Sequence, residues 1–321
     1  MERIRIDCHN HTKWSRFDTS VKWSDWFDYV EDFAKEAIKQ QMNMCAITEH
    51  DVVNRKLKQL LSNTDIVVSE AVEISAKNYA RDKSLHILYY ANSVSREVDS
   101  LLENVLFLKK QMLILQIQKL QDMWFKIDID DVVSFMKKIG HWEEGMNKWN
   151  IVNCMFNWTN AEHNRKYFEK TFQEQSSYSW FYYNCMKSEW KFYNDYKVEA
   201  WKYEPDLEDI SKLAVKDNAI LSIAHPNFTF KKWPEEFKKE LPYYIDAWVN
   251  AIEFNAKVDY VWWKVIMESK QKYDLILTFG SDCHMIWWDD DKHATFWTMS
   301  SFLNDDVIKE NYQKFRKQIW I

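Results

Sequence analysis

The sequence contains very little glycine and proline, with 3 Gly and 4 Pro among 321 residues. Ordinary usage of about 7% glycine predicts roughly 22 glycines in a chain of this length. Tryptophan is in large excess instead, with 18 residues. Turns and helix ends need residues that tolerate a positive φ, and glycine usually supplies them. The scarcity of glycine therefore raises the question of what occupies those positions here.

Several tryptophans stand where a glycine is expected. Trp124 follows an amphipathic helix that runs up to Met123, at the position where a left-handed residue usually closes a helix. The doublets Trp262–Trp263 and Trp287–Trp288 would form turns if they were Gly-Gly. We hypothesise that most of the 18 tryptophans are UGA codons translated under the wrong table, since some bacterial lineages read UGA as glycine. The alternative is a naturally tryptophan-rich protein, and some residues, such as Trp320, are candidates for genuine tryptophan.

Other absences exclude whole classes of protein. The five cysteines are odd in number and show no CxxC spacing, which predicts reduced thiols and a cytoplasmic protein. No apolar run reaches the roughly 18 residues of a membrane span, and the N-terminus shows no signal-peptide pattern. The net charge of −6 argues against long duplex nucleic acid as a partner, because phosphate binding there needs a basic surface. We expect a globular protein with a substantial core and no membrane partner.

Six of the nine histidines lie at or beside the ends of short apolar runs that predict strands. In the first run, His9 and His11 point to the same side because side chains alternate along an extended chain. Two neutral imidazoles on one face suit a divalent ion. Carboxylates mixed with imidazoles favour Zn, Mn or Fe over Ca or Mg. Ligands that converge from several strand ends are typical of α/β-barrel active sites.

Four motifs with these residues occur in order along the chain: Asp7-Cys-His9-Asn-His11-Thr12, Thr48-Glu49-His50-Asp51, Ala224-His225-Pro226 and Gly280-Ser281-Asp282-Cys283-His284. In these motifs the chain resembles the PHP family, the polymerase and histidinol phosphatase superfamily of metal-dependent phosphoesterases. The resemblance implies an α/β fold, a distorted seven-stranded (β/α) barrel formed by residues 1–96 and 201–321. It also implies a mainly helical insertion at 97–200 that caps the active site.

The resemblance further implies the ligands of two or three divalent ions, Mn, Zn or Fe. One ion is assigned to four residues: His9, His11, Glu73 and Asp282. A second ion shares Glu73 and is held by two more residues: His86 and His225. A third is assigned to Asp25, His50 and His284. The nucleophile is then a metal-bound water and no side chain acts as one.

The third-site carboxylate and one motif position depart from the family pattern. The family usually follows its first motif with Ser-Asp-Gly, but here Ser15-Arg16 interrupts it. Ser24-Asp25-Trp26 becomes Ser-Asp-Gly if Trp26 is recoded, which favours Asp25 as the ligand, with Asp18 as the alternative. Glu49 replaces the family's usual aspartate beside His50. The resemblance gives Glu253, on another strand end, a structural role beside the ligands.

The middle of the chain predicts helices instead of strands. Apolar residues recur at three- and four-residue spacing from Val98 to Leu115, which predicts one long amphipathic helix, and a second is expected over 130–138. Candidate substrate contacts are five basic residues: Lys148, Arg165, Lys187, Lys191 and His293.

The predicted function is hydrolysis of a small phosphorylated substrate, a nucleotide or short oligonucleotide, by a phosphatase or nuclease. A histidinol-phosphate phosphatase and a non-catalytic metal-binding module are the alternatives. Turnover of a generic phosphomonoester by the metal-loaded protein separates the enzymes from the binding module.

Overall fold

The computed structural model describes residues 4–12, 29–140, 143–175, 177–187, 192–196, 198, 203–230, 233–287, 289 and 293–320. The chain divides into two compact units. The first unit contains the described parts of 1–13, 27–103 and 204–321, and the second contains those of 104–203. Every helix in the described ranges is too short or too polar to cross a membrane.

All the named strands belong to the first unit. They are β1 (Ile6–Asp7), β2 (Met44–Cys45), β3 (Val67–Val68), β4 (Glu70–Asn78), β5 (Lys83–Ala91), β6 (Ile220–Ile223), β7 (Ala251–Asn255) and β8 (Ile276–Gly280). Strands β1, β2 and β3 form a parallel sheet. The other five form a second sheet in chain order, antiparallel from β4 to β6 and parallel from β6 to β8. Most strand residues are buried, which explains why the strands are apolar runs in the sequence.

Helices cover the sheets and build the second unit. They are α1 (Val30–Lys39), α2 (Lys56–Leu60), α3 (Arg96–Asp122), α4 (Ile129–Lys138), α5 (Lys148–Asn157), α6 (Ala161–Phe172), α7 (Tyr178–Phe181), α8 (Tyr193–Tyr196), α9 (Leu207–Lys216), α10 (Pro226–Thr229), α11 (Pro234–Asp246), α12 (Tyr260–Tyr273) and α13 (Asp305–Trp320). The long helix α3 and helix α4 lie where the apolar spacing predicted them. Helix α4 begins at an Asp128 cap, whose side chain accepts a hydrogen bond from the Asp131 N–H at 2.7 Å.

The two sheets are not closed into the expected seven-stranded barrel within the described residues. Single bridges continue the pairing at two places, between Asn10 and Cys283 and between His50 and Glu73. Next to the first bridge, the Cys8 N–H donates to the Phe279 carbonyl at 2.8 Å. Regular strand pairing does not continue here because the chain turns sharply next to each bridge, with left-handed φ values of 57° at Asp51, directly after His50, and 54° at Asp282, directly before Cys283.

Three of the described tryptophans have a left-handed backbone: Trp124, Trp248 and Trp297, with φ of 72°, 64° and 68°. The first two close helices α3 and α11. At Trp248 the N–H donates to the Ile245 carbonyl at 2.8 Å and the next N–H reaches Tyr244 at 3.0 Å. This pair of bonds defines the helix end that usually requires glycine. Trp124 forms the same pair, and the two indoles are 76% and 67% exposed. The expected left-handed conformation of Trp124 is confirmed.

The expectation of a turn at Trp262–Trp263 is wrong. Both residues lie in the first turns of helix α12, which begins because the Asp259 side chain accepts a hydrogen bond from the Trp262 N–H at 2.9 Å. The Trp262 ring is buried and packs edge-on against Phe237 at 5.6 Å. Trp287 does lie in a turn and is largely exposed, whereas Trp288 lies outside the described residues.

Candidate metal centre

The predicted ligands come together because they lie on or just after strands of the first unit. His9 and His11 follow β1, and His50 follows β2. Glu73 lies in β4 and His86 in the neighbouring β5. The remaining three follow the parallel strands β6 and β8: His225, Asp282 and His284.

The buried carboxylate of Glu73 is the middle of the cluster. Its Oε1 lies 2.6 Å from His86 Nδ1 and 3.0 Å from His225 Nε2. Its Oε2 lies 2.9 Å from His50 Nδ1 and 3.1 Å from His11 Nε2. A carboxylate with different imidazoles on its two oxygens has the geometry of a bridge between two cations.

A second carboxylate, Asp282, faces the His-x-His pair. Its Oδ1 lies 3.5 Å from His9 Nε2 and 3.4 Å from His11 Nε2. The two Nε2 atoms are 3.1 Å apart, and His9 Nε2 is 3.4 Å from Glu73 Oε2. Two imidazoles and two carboxylates therefore present their donor atoms to one small volume, as a buried metal site requires.

The donor atoms fit metal ions by chemistry and by spacing. Five groups of three residues bring their ligand atoms within 4.8 Å of one another: His9/His11/Glu73, His50/Glu73/His86, His9/His225/Asp282, His11/His50/His284 and Asp282/His284/His293. Among the described residues, the buried Nδ1 atom of His11 has no hydrogen-bond partner. Buried polar atoms are normally paired, so this orphaned atom supports a cation as the missing partner.

Electrostatics favour the metal-binding protonation states at some of the predicted ligands and oppose them at others. At His9, His11 and His86 burial lowers the imidazole pKa, but the neighbouring carboxylates outweigh it and raise that pKa above its usual value. Burial raises the pKa of the Glu73 carboxyl, but the surrounding imidazoles outweigh it and hold that pKa well below its usual value. Burial lowers the pKa of His50 to about 4, and it also holds the pKa of His284 well below its usual value. At neutral pH these two imidazoles are neutral and the carboxylate is ionised, which are the protonation states that bind metal.

Glu253 orients two of the histidines. Its Oε1 lies 2.8 Å from His9 Nδ1, and its Oε2 accepts a hydrogen bond from the His225 backbone N–H at 2.5 Å. A Nδ1–H donated to a carboxylate leaves the lone pair of His9 on Nε2, where the other ligands meet. Glu253 is fully buried, so its position supports the structural role expected for it.

Gly280 and Asp7 support the candidate centre, although the sequence motifs alone gave neither of them a role. A Cβ at Gly280 would overlap both the Cβ of His9 and Oε1 of Glu253, so only glycine fits there. Asp7 accepts hydrogen bonds from Ser281 Oγ at 2.6 Å and from the Trp297 N–H at 2.7 Å. Burial raises the Asp7 pKa to about 6, against the lowering effect of these bonds. Both residues stand at the start of a motif, but neither was predicted as a metal ligand.

The departure at Glu49 is accommodated by local hydrogen bonds. The residue is fully buried, and its carboxylate accepts from the Thr12 N–H at 3.3 Å and from Asn54 Nδ2 at 3.2 Å. Glu49 thus ties the first motif to the second without entering the donor set.

The predicted substrate contacts have different surroundings. Within the second unit, Arg165 Nη1 donates to the Phe156 carbonyl at 2.9 Å, and Lys148 Nζ lies 3.4 Å from the Met186 carbonyl. Lys187 Nζ stands over a tyrosine ring at 5.2 Å. His293 lies in the first unit, beside the predicted metal ligands, with its ring centroid 4.2 Å from that of His284. Three further candidates lie outside the described residues: Asp18, Asp25 and Lys191.

Similarity to known proteins is found in structure and not in sequence. No protein-family model matches the chain, and no curated protein matches it. A candidate metal-dependent phosphoesterase from Bifidobacterium adolescentis superposes with a TM-score of 0.63 at 16% identity, over 98% of each chain. An amidohydrolase from Chromobacterium violaceum, with bound sulfate and no metal, gives 0.58 at 14% identity, over 97% of this chain and 96% of the other. At these identities the likeness shows a shared fold.

Proposed function

We propose that this protein hydrolyses phosphoesters at a centre of two or three divalent ions, Mn, Zn or Fe. The observation that carries the proposal is the Glu73 carboxylate, buried among five imidazoles that come from four strands or strand ends. Such mixed nitrogen and oxygen donors suit these metals. The fold shared with a candidate metal-dependent phosphoesterase supports the reaction class, and the sulfate in the amidohydrolase is a tetrahedral oxyanion like phosphate.

The residues divide among the ions as the PHP resemblance implies. His9, His11 and Asp282 would hold one ion with Glu73, which also reaches the ion of His86 and His225. His50 and His284 would hold a third, with Asp25 as the proposed carboxylate. We also propose that the Asn10–Cys283 and His50–Glu73 bridges mark where the two sheets approach a distorted barrel.

Close divalent ions can polarise phosphoryl oxygens and lower the pKa of a water molecule to near neutrality. The chain's own part is to hold the donors in place: Glu253 fixes the tautomer of His9, and Asp7 ties the first motif to the last. The cysteines of these motifs are poor nucleophiles, since both are buried and burial raises the Cys8 pKa well above its usual value. Water is therefore the proposed nucleophile.

The substrate we propose is a nucleotide or a short oligonucleotide. Phosphate esters are anionic near neutrality, so positive charge is the main requirement of the site. We propose that the insertion at 97–200 selects the substrate. Its proposed phosphate contacts are Lys148, Arg165, Lys187 and Lys191. The resemblance to the PHP family supports this role for the insertion.

The test is phosphate release from nucleotides, short oligonucleotides and histidinol phosphate, with Mn or Zn added. We expect turnover of at least one nucleotide substrate and its loss in Glu73→Gln, which keeps the shape of the side chain but removes the charge. His163→Gln is the matched control, because His163 is exposed on helix α6 in the second unit, where its Nε2 lies 3.4 Å from the Trp124 carbonyl oxygen. A folded, metal-loaded protein that releases no phosphate from any substrate would support a binding role instead.

We further propose that Trp124, Trp248 and Trp297 stand where the natural protein has glycine. Their left-handed backbone and the helix-closing bonds at the first two support this. At Trp297, whose N–H bonds to Asp7, the buried indole Nε1 has no hydrogen-bond partner among the described residues. The hydrolysis assay should therefore compare two proteins, one with Trp and one with Gly at these positions. UGA codons at the three positions would support recoding, and UGG codons would refute it.

A further inference from the structure

We infer that His293 is a metal ligand, and that Asp282, His284 and His293 present donor atoms to one divalent transition-metal ion, the third ion of the proposed centre, with Asp282 shared between it and the first ion. The inference rests on the proposed metal centre and adds to it a residue that none of the four sequence motifs contains. It also changes the role expected for His293, from a substrate contact to a part of the donor set.

The first support is proximity of donor atoms. The ligand atoms of these three residues all lie within 4.8 Å of one another. The rings of His284 and His293 have centroids 4.2 Å apart and planes inclined by 55°. Inclined rings this close can direct two nitrogens to one point, as two imidazole ligands of a single ion do.

The second support is that the chain directly after His293 is held in place against the last motif. Directly after His293, the buried Ala294 donates its N–H to the Ser281 carbonyl at 3.0 Å. Two residues later, the Phe296 N–H donates to Ile286 at 3.3 Å, and its ring packs edge-on against Phe33 at 5.5 Å. These contacts fasten the backbone next to His293 to the last motif, so its half-buried ring lies beside His284.

The third support is the chemistry of the set. His284 Nδ1 lies 3.0 Å from the Asp282 carbonyl oxygen, so its N–H donates there and leaves the lone pair on Nε2. Two imidazoles and one carboxylate are three protein ligands with positions left for water or substrate, the pattern of catalytic Zn and non-haem Fe sites. His284 also belongs to the group with His11 and His50, whereas His293 belongs to this group alone. A substitution of His293 therefore tests this site separately.

The experiment measures metal binding by the whole protein, without any substrate. Mn²⁺ and Zn²⁺ are titrated against a chromophoric chelator, and bound metal is counted by mass spectrometry for wild type, His293→Gln and the control His163→Gln. We expect His293→Gln to weaken the binding of one ion by at least about tenfold. Loss of a residue that only hydrogen-bonds to a ligand already weakens metal binding by about that factor, so loss of a ligand should weaken it at least as much. The remaining ions should stay bound. His163→Gln should match the wild type, and His293→Asp should recover the lost ion because it restores a ligand.

Two outcomes would overturn the inference. One is wild-type metal content and affinity in folded His293→Gln, whether or not KM changes, since a rise in KM alone would assign the residue to the substrate. The other is equal loss of metal in His293→Gln and His293→Asp, which would indicate a packing role. Glu73→Gln separates this inference from the proposed centre: if that variant also keeps all its metal, the centre itself fails.

Discussion

Replacing Trp248 by glycine and by alanine measures the cost of its left-handed backbone. Both variants remove the indole, so the contacts it makes with neighbouring residues cancel in the comparison. A residue with a Cβ pays roughly 1–2 kcal/mol in the left-handed helical region. Glycine avoids that cost but loses more backbone entropy on folding, by roughly 0.5–1 kcal/mol. The difference predicts that Trp248→Gly is more stable than Trp248→Ala by about 1 kcal/mol.

The matched control is Trp263, which lies in helix α12 with its N–H donated to the Asp259 carbonyl at 2.8 Å. In a right-handed helix alanine is the better residue by about 1 kcal/mol. The order of stability should therefore reverse, with Trp263→Ala above Trp263→Gly.

Urea unfolding followed by far-UV circular dichroism gives the midpoints for all four variants, and thermal unfolding should show shifts of about 2–4 °C per kcal/mol. One result would refute the argument that helix α11 needs glycine at its end. It is that Trp248→Ala is as stable as Trp248→Gly while the two Trp263 variants show the expected order. The same comparison at Trp124 tests helix α3.

Gly280→Ala should remove metal binding and activity, because its Cβ would overlap the Cβ of His9. The same overlap should lower the free energy of unfolding by about 1–3 kcal/mol. An active variant with wild-type metal content would contradict this prediction. Glu253→Gln should weaken metal binding about 10- to 100-fold, since it removes the carboxylate behind His9, and isothermal titration would detect it. Chelation of the metal should lower the unfolding temperature, because an ion at about 100 times its Kd contributes about 2.7 kcal/mol; an unchanged temperature would argue against bound metal. The five cysteines are buried, and burial raises the pKa of Cys154 to about 12, so none should react quickly with a thiol reagent at pH 8 until the chain is denatured.

Local patterns in the sequence predicted the residues of the candidate centre. His9, His11 and the other predicted ligands stand beside apolar runs because buried strands need apolar residues, and that requirement acts on each segment separately. The helix over 98–115 was predictable for the same reason, since its apolar spacing follows the helical repeat. The left-handed position at Trp124 was predictable because a helix end depends on its own few residues.

Only the tertiary structure decided which residues meet. Glu253 and His9 are far apart in sequence, and the need for Gly280 arises from their contact and not from a turn. The helical conformation of Trp262 depends on the Asp259 cap and on burial of its ring against Phe237. These contacts outweigh the local pattern of the Trp262–Trp263 doublet, from which a turn was predicted. His293 carries no motif, and its place beside His284 comes from the loop that Ala294 and Phe296 fasten. Local propensity acts over a few neighbouring residues, whereas these contacts form only when distant segments pack together.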